Sequence, residues 1–300
     1  MTRNFLPFLI IPALCTSAFA QTGFQAPAVF AKSDGEKFKA WILAATKTEI
    51  RYKTNLVSTS YVDAKIADFS TIYLINPPEF VVALDLYEAK KYKAAKAEFA
   101  AIKEAQKPSE NLKGNYHTIA AFYEMECMRQ LGDYTGLSAA LQNFTKEQLT
   151  NENQLRQLDL YVMWDAVKSK SWDKLLTIAT ERDAENLPGD QKAQVAFCKG
   201  LALENLKQPM EAITAYNIAM TADTGASDMI TQNAAIQIMQ IYLADPEVQV
   251  AMEQKKADTE NKNSNGYNRL KEAIALAKFY ELALKADKDL PSDLTPLLDL

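Results

Sequence analysis

The sequence has little of what most enzyme active sites are built from. It contains a single histidine, His117, so a two-histidine metal motif cannot form and a catalytic triad would rest on one residue at a helix start. Its nine glycines never fall as Gly-x-Gly, and no Gly-Lys-Ser/Thr occurs, which excludes the usual dinucleotide and phosphate loops. A Gly-x-Ser-x-Gly elbow, a Cys-x-x-Cys pair and an EF-hand calcium loop are also absent. The sequence therefore predicts no catalytic residue, cofactor or metal, and we interpret His117 as a surface residue of a helix.

Paired carboxylates are the one catalytic device that the composition leaves open, because glycosidases work with two acids. The candidate pairs are Glu124 with Glu126, and Asp183 with Glu185. Residues two apart lie on different faces of a helix, so we interpret each of these acids as separately placed. A carboxylate-dependent carbohydrate-processing enzyme stays as an alternative.

Cysteine is scarce as well, with three residues in the chain. Cys15 lies in the N-terminal apolar segment, and Cys127 and Cys198 lie in helical stripes two repeats apart. Packed helices are about 10 Å apart, whereas a disulfide needs Cα atoms within about 7 Å. We therefore expect Cys127 and Cys198 to be small buried hydrophobic residues, not a disulfide.

The first twenty residues have the features of a cleavable export signal. Arg3 supplies the positive start, Phe5–Leu14 is the apolar run, and Ala18-Phe19-Ala20 precedes the predicted cleavage site. The run is too short for a membrane span, which needs roughly twenty residues. A membrane anchor, or a lipid on Cys15, is the alternative. The signal is of a bacterial type, so the sequence predicts a periplasmic or secreted protein with no membrane span in the mature chain.

Basic residues are neither abundant nor clustered. The formal net charge is −5, and it becomes −6 once the leader and its one arginine are removed. Nucleic acids and anionic lipids need a concentrated basic face, and no block of five like charges occurs. We therefore expect neither nucleic acid nor an anionic membrane as a partner.

The composition changes once, near Asn76-Pro77-Pro78. Before it, β-forming residues dominate: Phe38–Ala45 and Glu49–Tyr52 predict a strand pair, and Ser58–Ile75 alternates between polar and apolar residues. The order of a strand, an Asp-Gly turn, a long strand and an Ile-Ala-Asp-Phe piece resembles small SH3- or Sm-type barrels. The chain thus divides into a leader (1–20), a small β-rich, barrel-like module (21–76), a helical repeat domain (77–287) and a flexible tail (288–300).

After Pro78 the apolar residues follow a helical period, in pairs of stripes joined by short turns. The first pair comprises Glu79–Tyr87 and Ala94–Ala105, and Tyr92 marks the turn into its second stripe. The same frame returns at Tyr134, Trp172 and Pro209, so the intervals are 42, 38 and 37 residues. Beyond the fourth pair, Met229–Leu243 and Arg269–Ala286 predict further helices. Between them, Glu253–Gly266 is polar and predicts a mobile loop.

The small and apolar positions of these pairs resemble those of tetratricopeptide repeats. In the fourth copy they fall on Gly200 and Leu203 in the first helix, and on Ala212, Tyr216 and Ala219 in the second. The middle copies depart from the pattern, since methionine replaces the small residue at 125 and 163, and the intervals exceed the family's 34 residues. The resemblance covers roughly residues 78–287 and implies a mainly α protein, a solenoid of antiparallel helix hairpins.

The resemblance also implies a function, because that family binds protein segments in the concave groove lined by its first helices. Projected onto this chain, the groove positions comprise four aromatic residues, two acids, an arginine and a leucine. They are Tyr87, Phe122, Glu126, Arg129, Trp164, Phe197, Leu201 and Glu204. The leading hypothesis is therefore a non-catalytic adaptor that binds a protein or peptide segment in a cell-envelope assembly. The alternative is a structural envelope component that self-associates as a homo-oligomer.

Overall fold

A computed structural model of the chain describes residues 23–222, 225, 227–285 and 288–300. The predicted leader lies outside these residues. A small antiparallel sheet comes first, and eleven α-helices follow in the described part. The chain is therefore mainly α with an N-terminal β module, as the sequence predicts.

The sheet has five strands in the order β4-β3-β2-β1-β5, and every neighbouring pair is antiparallel. The strands are β1 (Ala26–Lys32), β2 (Lys37–Ala45), β3 (Glu49–Lys53), β4 (Val62–Lys65) and β5 (Phe69–Leu74). A 3₁₀ turn at Ile66–Asp68 separates β4 from β5. Gly35, with φ of 90°, allows the tight β1–β2 turn.

Aromatic rings pack against each other on one face of the sheet. The Phe30 ring lies 5.3 Å from that of Phe38, 4.8 Å from that of Tyr52 and 5.0 Å from that of Phe69, centroid to centroid. This cluster continues into the first helices, since buried sheet residues and buried helix residues such as Phe99 form one hydrophobic core. The sequence boundary at residue 76 is therefore a change of secondary structure within a shared core.

The helices follow in pairs. They are α1 (Pro78–Glu88), α2 (Tyr92–Ala105), α3 (Tyr116–Gln130), α4 (Tyr134–Gln142), α5 (Glu152–Lys168), α6 (Trp172–Asp183), α7 (Gly189–Asn205), α8 (Pro209–Ala222), α9 (Asp228–Ala244), α10 (Pro246–Lys256) and α11 (Asn265–Phe279). Each helix from α1 to α9 packs on the next one, and α10 packs on both α9 and α11. The odd-numbered helices also contact each other, α1 with α3, α5 with α7, α7 with α9, and α9 with α11. Helices α2, α4, α6 and α8 begin at the four residues that mark the repeated turns in the sequence, and α2 thus begins two residues before the predicted Ala94.

Four of the turns within these pairs share one geometry. Lys90, Gly132, Lys170 and Lys207 have φ of 58°, 71°, 53° and 65°, and each stands two residues before the next helix. In the first turn, Lys91 N–H donates to the Leu86 carbonyl and Lys90 N–H to that of Tyr87, both at 2.9 Å. The same two hydrogen bonds recur at the other three turns. This is the Schellman arrangement. Carbonyls without partners at the helix end accept hydrogen bonds from the N–H groups of a residue with left-handed backbone and of the residue after it.

Helices α7 and α8 approach each other closely at one glycine. A Cβ atom added at Gly200 would lie 2.5 Å from Cε1 of Tyr216, whose ring is fully buried. Gly200 is therefore the small residue at a helix crossing, as the repeat pattern predicts.

The C-terminal part differs from the prediction in two places. Residues Pro246–Lys256 form α10, so the predicted loop from Glu253 begins as helix. The predicted flexible tail packs on the helices through three buried leucines, Leu290, Leu294 and Leu297. Their spacing is that of a helical stripe, but two prolines and an aspartate between them hide the pattern in the sequence.

The prediction for the cysteines is confirmed. Cys127 and Cys198 are buried free thiols. Burial raises the pKa of Cys127 to about 12 and also raises that of Cys198.

We expect Gly200→Ala to destabilise the protein, because the added methyl group overpacks the α7–α8 contact at a cost of about 1–3 kcal/mol. The gain of about 1 kcal/mol that alanine brings to a helix interior offsets part of this cost, so the expected net loss is up to about 2 kcal/mol. The free energy of unfolding from urea titration measures the effect. Gly23→Ala is the control, since nothing lies within 4 Å of its added Cβ. Equal stability of the two variants would contradict the close packing.

Candidate functional site

Most of the eight predicted groove residues are buried. Five are buried, among them Trp164 with no exposed surface and Arg129 with 3%. Tyr87, Leu201 and Glu204 are half-buried. In this structure these side chains contact other parts of the same chain, so they form interior packing and not the wall of an open groove.

The centre of this interior is the carboxylate of Glu126 on α3. Arg129 donates to it through Nε at 3.2 Å and through Nη2 at 2.8 Å. Tyr161 of α5 donates to Oε1 at 2.5 Å, and Tyr87 of α1 donates to Oε2 at 3.3 Å. One carboxylate therefore connects three odd-numbered helices.

The electrostatics of this cluster favour the ion pair. Burial, and then the charge of Glu126, raise the pKa of both Tyr87 and Tyr161, so each phenol keeps the proton that it donates. Burial lowers the pKa of Arg129, but the Glu126 carboxylate outweighs it and the net shift is upward. Arg129 Nη1 is buried without a hydrogen-bond partner in the described part of the chain. Buried charges of this kind are tolerated because they are paired.

Trp164 is held by a second polar contact. Its Nε1 donates to Gln194 Oε1 at 3.1 Å, and Gln194 exchanges amide hydrogen bonds with Gln157 at 2.8 and 2.9 Å. The indole lies between the rings of Tyr134 and Phe197, with centroids at 5.0 and 6.2 Å. The burial of both the ring and its donor explains why Trp164 is not presented to solvent.

The start of α9 reaches back to the first two helix pairs. Lys90 Nζ lies 2.5 Å from Asp228 Oδ1, and Ser227 Oγ donates to Gln130 Oε1 at 2.8 Å. The hydroxyl of Tyr134 lies 3.9 Å from the sulfur of Met229. These contacts join residues about a hundred or more positions apart in sequence, which the repeat pattern does not predict.

The candidate acid pairs do not converge on a shared site. Glu124 pairs with Lys103 at 2.7 Å, and Glu126 faces Arg129 instead. Asp183 and Glu185 likewise each have their own cation, Lys199 and Arg182, both at 2.8 Å.

His117 is less exposed than predicted, because the end of α2 covers it. Its side chain is 22% exposed, and Nδ1 lies 2.7 Å from the Lys103 carbonyl. A carbonyl only accepts, so Nδ1 carries a proton. No group of three or more potential metal ligands occurs among the residues that the structure describes.

Two open cavities lie outside the predicted positions. The first, the β5 groove, has a volume of ≈740 Å³ and runs along β5, with all six residues of that strand in its lining. Its opposite wall is formed by two loops, residues 111–114 and 147–150, which are joined by the Gly114 N–H donating to the Gln148 carbonyl at 2.7 Å. Side chains alternate between the faces of a strand, so a cavity that contacts all six must lie along the strand edge.

The second cavity, the lysine pocket, has a volume of ≈920 Å³ and lies where α9 meets the α1–α2 turn. Four lysines line it, Lys90, Lys91, Lys93 and Lys288, and Asp228 is the acid among its described lining residues. Sequence reasoning missed this pocket because its lysines come from both ends of the helical region.

None of the known protein-family models, curated proteins or solved structures matches this chain. Within the described residues, no helix is both long and apolar enough to cross a membrane.

We expect Glu126→Gln to destabilise the protein by about 3–5 kcal/mol, because it leaves the buried guanidinium of Arg129 without a counter-charge. The double variant Glu126→Leu, Arg129→Met removes both charges and should cost less than the single one. Urea denaturation of the three proteins forms the comparison. Glu253→Gln is the matched control, since its ion pair with Lys256 has the same sequence spacing and a 2.8 Å distance but is exposed. A double variant less stable than Glu126→Gln would contradict the assignment.

Proposed function

We propose that the mature chain is a non-catalytic scaffold that binds an extended segment of another protein along the β5 groove. The observation that carries this proposal is the edge position of β5, which pairs with β1 on one side and faces the groove on the other. Adding a strand to an exposed sheet edge is a recurrent mode of peptide recognition.

The hydrogen bonds between β1 and β5 show which backbone groups of β5 are available to such a segment. Ile75 N–H donates to the Pro27 carbonyl at 2.9 Å, and the β1–β5 register pairs Val29 with Tyr73 and Phe30 with Ile72. Hydrogen-bonded and non-hydrogen-bonded pairs alternate in an antiparallel ladder. Thr71 and Tyr73 therefore bond to β1, whereas Ile72 and Leu74 direct their N–H and C=O groups away from it.

The two edge strands of the sheet differ in length and in charged residues. The β4 edge is four residues long and carries Asp63 and Lys65, and the Asp63 carboxylate is paired with Arg51 at 2.7 Å. The β5 edge is six residues long and has neither a charged residue nor a proline. Natural proteins use short strands, charges and prolines to protect sheet edges from unwanted pairing. An unprotected β5 is what a docking edge requires.

The side chains around the groove favour a mixed segment. Ile72 and Ile119 provide apolar surface, Tyr73 is 62% exposed, and Lys47, Lys113 and Glu147 are the charged residues of the lining. A strand with apolar side chains on one face and polar or acidic ones on the other suits this lining. Binding of this kind needs no catalytic group.

The proposal also includes the fold family of the two parts of the chain and the location of the protein. The recurring Schellman turns and the contacts among odd-numbered helices support a TPR-like solenoid, and the strand order with its 3₁₀ turn supports an SH3- or Sm-type barrel. The predicted leader supports export, so the scaffold would act in the periplasm or outside the cell, in an envelope assembly. Because most of the residues predicted to line the concave groove are buried, the proposal puts the binding site at the β5 groove instead.

Hydrogen exchange tests the open edge in the free protein. We expect the Ile72 amide to exchange at least about tenfold faster than the amides of Thr71 and Tyr73, because no strand protects it. Amide exchange followed by NMR at these three residues measures the difference. Equal protection would show that the β5 edge is already covered, and the proposal would fail.

Photo-crosslinking tests the function. A photoreactive side chain at Tyr73, in cells, should capture an extended segment of another protein that mass spectrometry identifies. Ile72→Pro removes the outward N–H and should abolish the adduct, whereas Ile72→Val keeps it and is the matched control. Circular dichroism checks that both variants are folded.

The outcomes of the crosslinking separate the alternatives. Adducts that persist in Ile72→Pro would contradict edge pairing. Adducts with a second copy of this chain alone, together with a dimeric mass in light scattering, would favour the self-associating structural component instead.

A further inference from the structure

The lysine pocket concentrates positive charge in an acidic protein. Four of its lining residues are lysines, and Asp228 is the acid among the described ones. Lys90 is paired with Asp228 at 2.5 Å, and Lys288 donates to Asn233 Oδ1 at 2.6 Å. Lys91 and Lys93 are exposed and form no ion pair within the part of the chain that the structure describes. Among the described lining residues, Lys91 and Lys93 therefore leave positive charge at the cavity that the Lys90–Asp228 pair does not balance.

Neutral polar groups complete the lining. The side chains of Gln130 and Gln232 are almost fully buried, and both residues line the cavity together with Asn233. Tyr92 also lines the pocket, and burial raises its pKa to about 12, so its hydroxyl keeps a proton to donate. A cavity of ≈920 Å³ falls within the range of ligand pockets, which combine an apolar lining with a few placed polar groups.

We propose that the lysine pocket binds a small, multiply charged anion through its phosphate or carboxylate groups. Lysine ammonium groups act as point charges toward either kind of group and lack the fork that arginine offers a planar one. Lys91 and Lys93 supply the attraction, and the Tyr92 hydroxyl and the amide N–H of Asn233 supply directed hydrogen bonds. This site is separate from the β5 groove, so each proposal stands or falls without the other.

Substituting Asp228 gives a stringent test, because the expected change in anion affinity is opposite to that of the lysine substitutions. Its carboxylate lies at the pocket and competes with an anion for Lys90. Removing this negative charge should strengthen anion binding, whereas removing the charges of Lys91 and Lys93 should weaken it. A general loss of structure would weaken binding in both cases.

The experiment is isothermal titration of the chain beginning at Gln21 with pyrophosphate and, separately, with citrate, at constant ionic strength. We expect one-to-one binding of at least one anion with a dissociation constant below about 1 mM. Lys91→Gln, Lys93→Gln should weaken it by about tenfold or more, and Asp228→Asn should strengthen it by roughly threefold. Binding should also weaken as sodium chloride is raised.

The matched control is Lys174→Gln, Lys192→Gln, which removes two other exposed lysines that have no described ion pair. It should leave the dissociation constant unchanged. Preference for pyrophosphate or for citrate identifies phosphate or carboxylate as the recognised group. The proposal is overturned if neither anion binds below about 1 mM, if the control loses as much affinity, or if Asp228→Asn weakens binding while circular dichroism shows it folded.

Discussion

The arrangement of the first three helix pairs depends on one buried carboxylate. Glu126 accepts hydrogen bonds from its own helix through Arg129, from α1 through Tyr87 and from α5 through Tyr161. A charged group at this depth is stable only when its partners are all in place. The carboxylate therefore selects one relative placement of α1, α3 and α5, and the aromatic rings around it pack to suit. The interior between these helices is closely packed because the polar groups at its centre must form hydrogen bonds with each other.

Local features of the fold can be predicted from the sequence because local interactions produce them. The second helices begin at Tyr92, Tyr134, Trp172 and Pro209 since each follows a turn whose hydrogen bonds join residues at most five apart. The Gly200–Tyr216 contact is likewise visible as a small residue opposite an aromatic one. The strands of the module follow from alternation and from the turn at Gly35.

The location of a site cannot be predicted in the same way. A projection from repeat positions correctly places residues such as Trp164 on the odd-numbered helices, but their burial depends on the small rotations between pairs. Those rotations depend on packing across several helices at once. The open edge of β5 depends on strand order, which alternation does not determine, and the lysine pocket needs α9 beside the α1–α2 turn. A short stripe of leucines in the tail is hidden by the two prolines and the aspartate between them.

The contact between Lys90 and Asp228 has a consequence for how the chain folds. Arrays of repeats usually fold as a series of neighbouring units, and their ends open first. Here residues 138 positions apart are joined, which adds a long-range term and raises the contact order. The first helix pairs emerge early in synthesis, but this contact cannot form until α9 has followed. Until then the early helices lack one of their neighbours, so aggregation of the incomplete chain is the hazard that accompanies this fold.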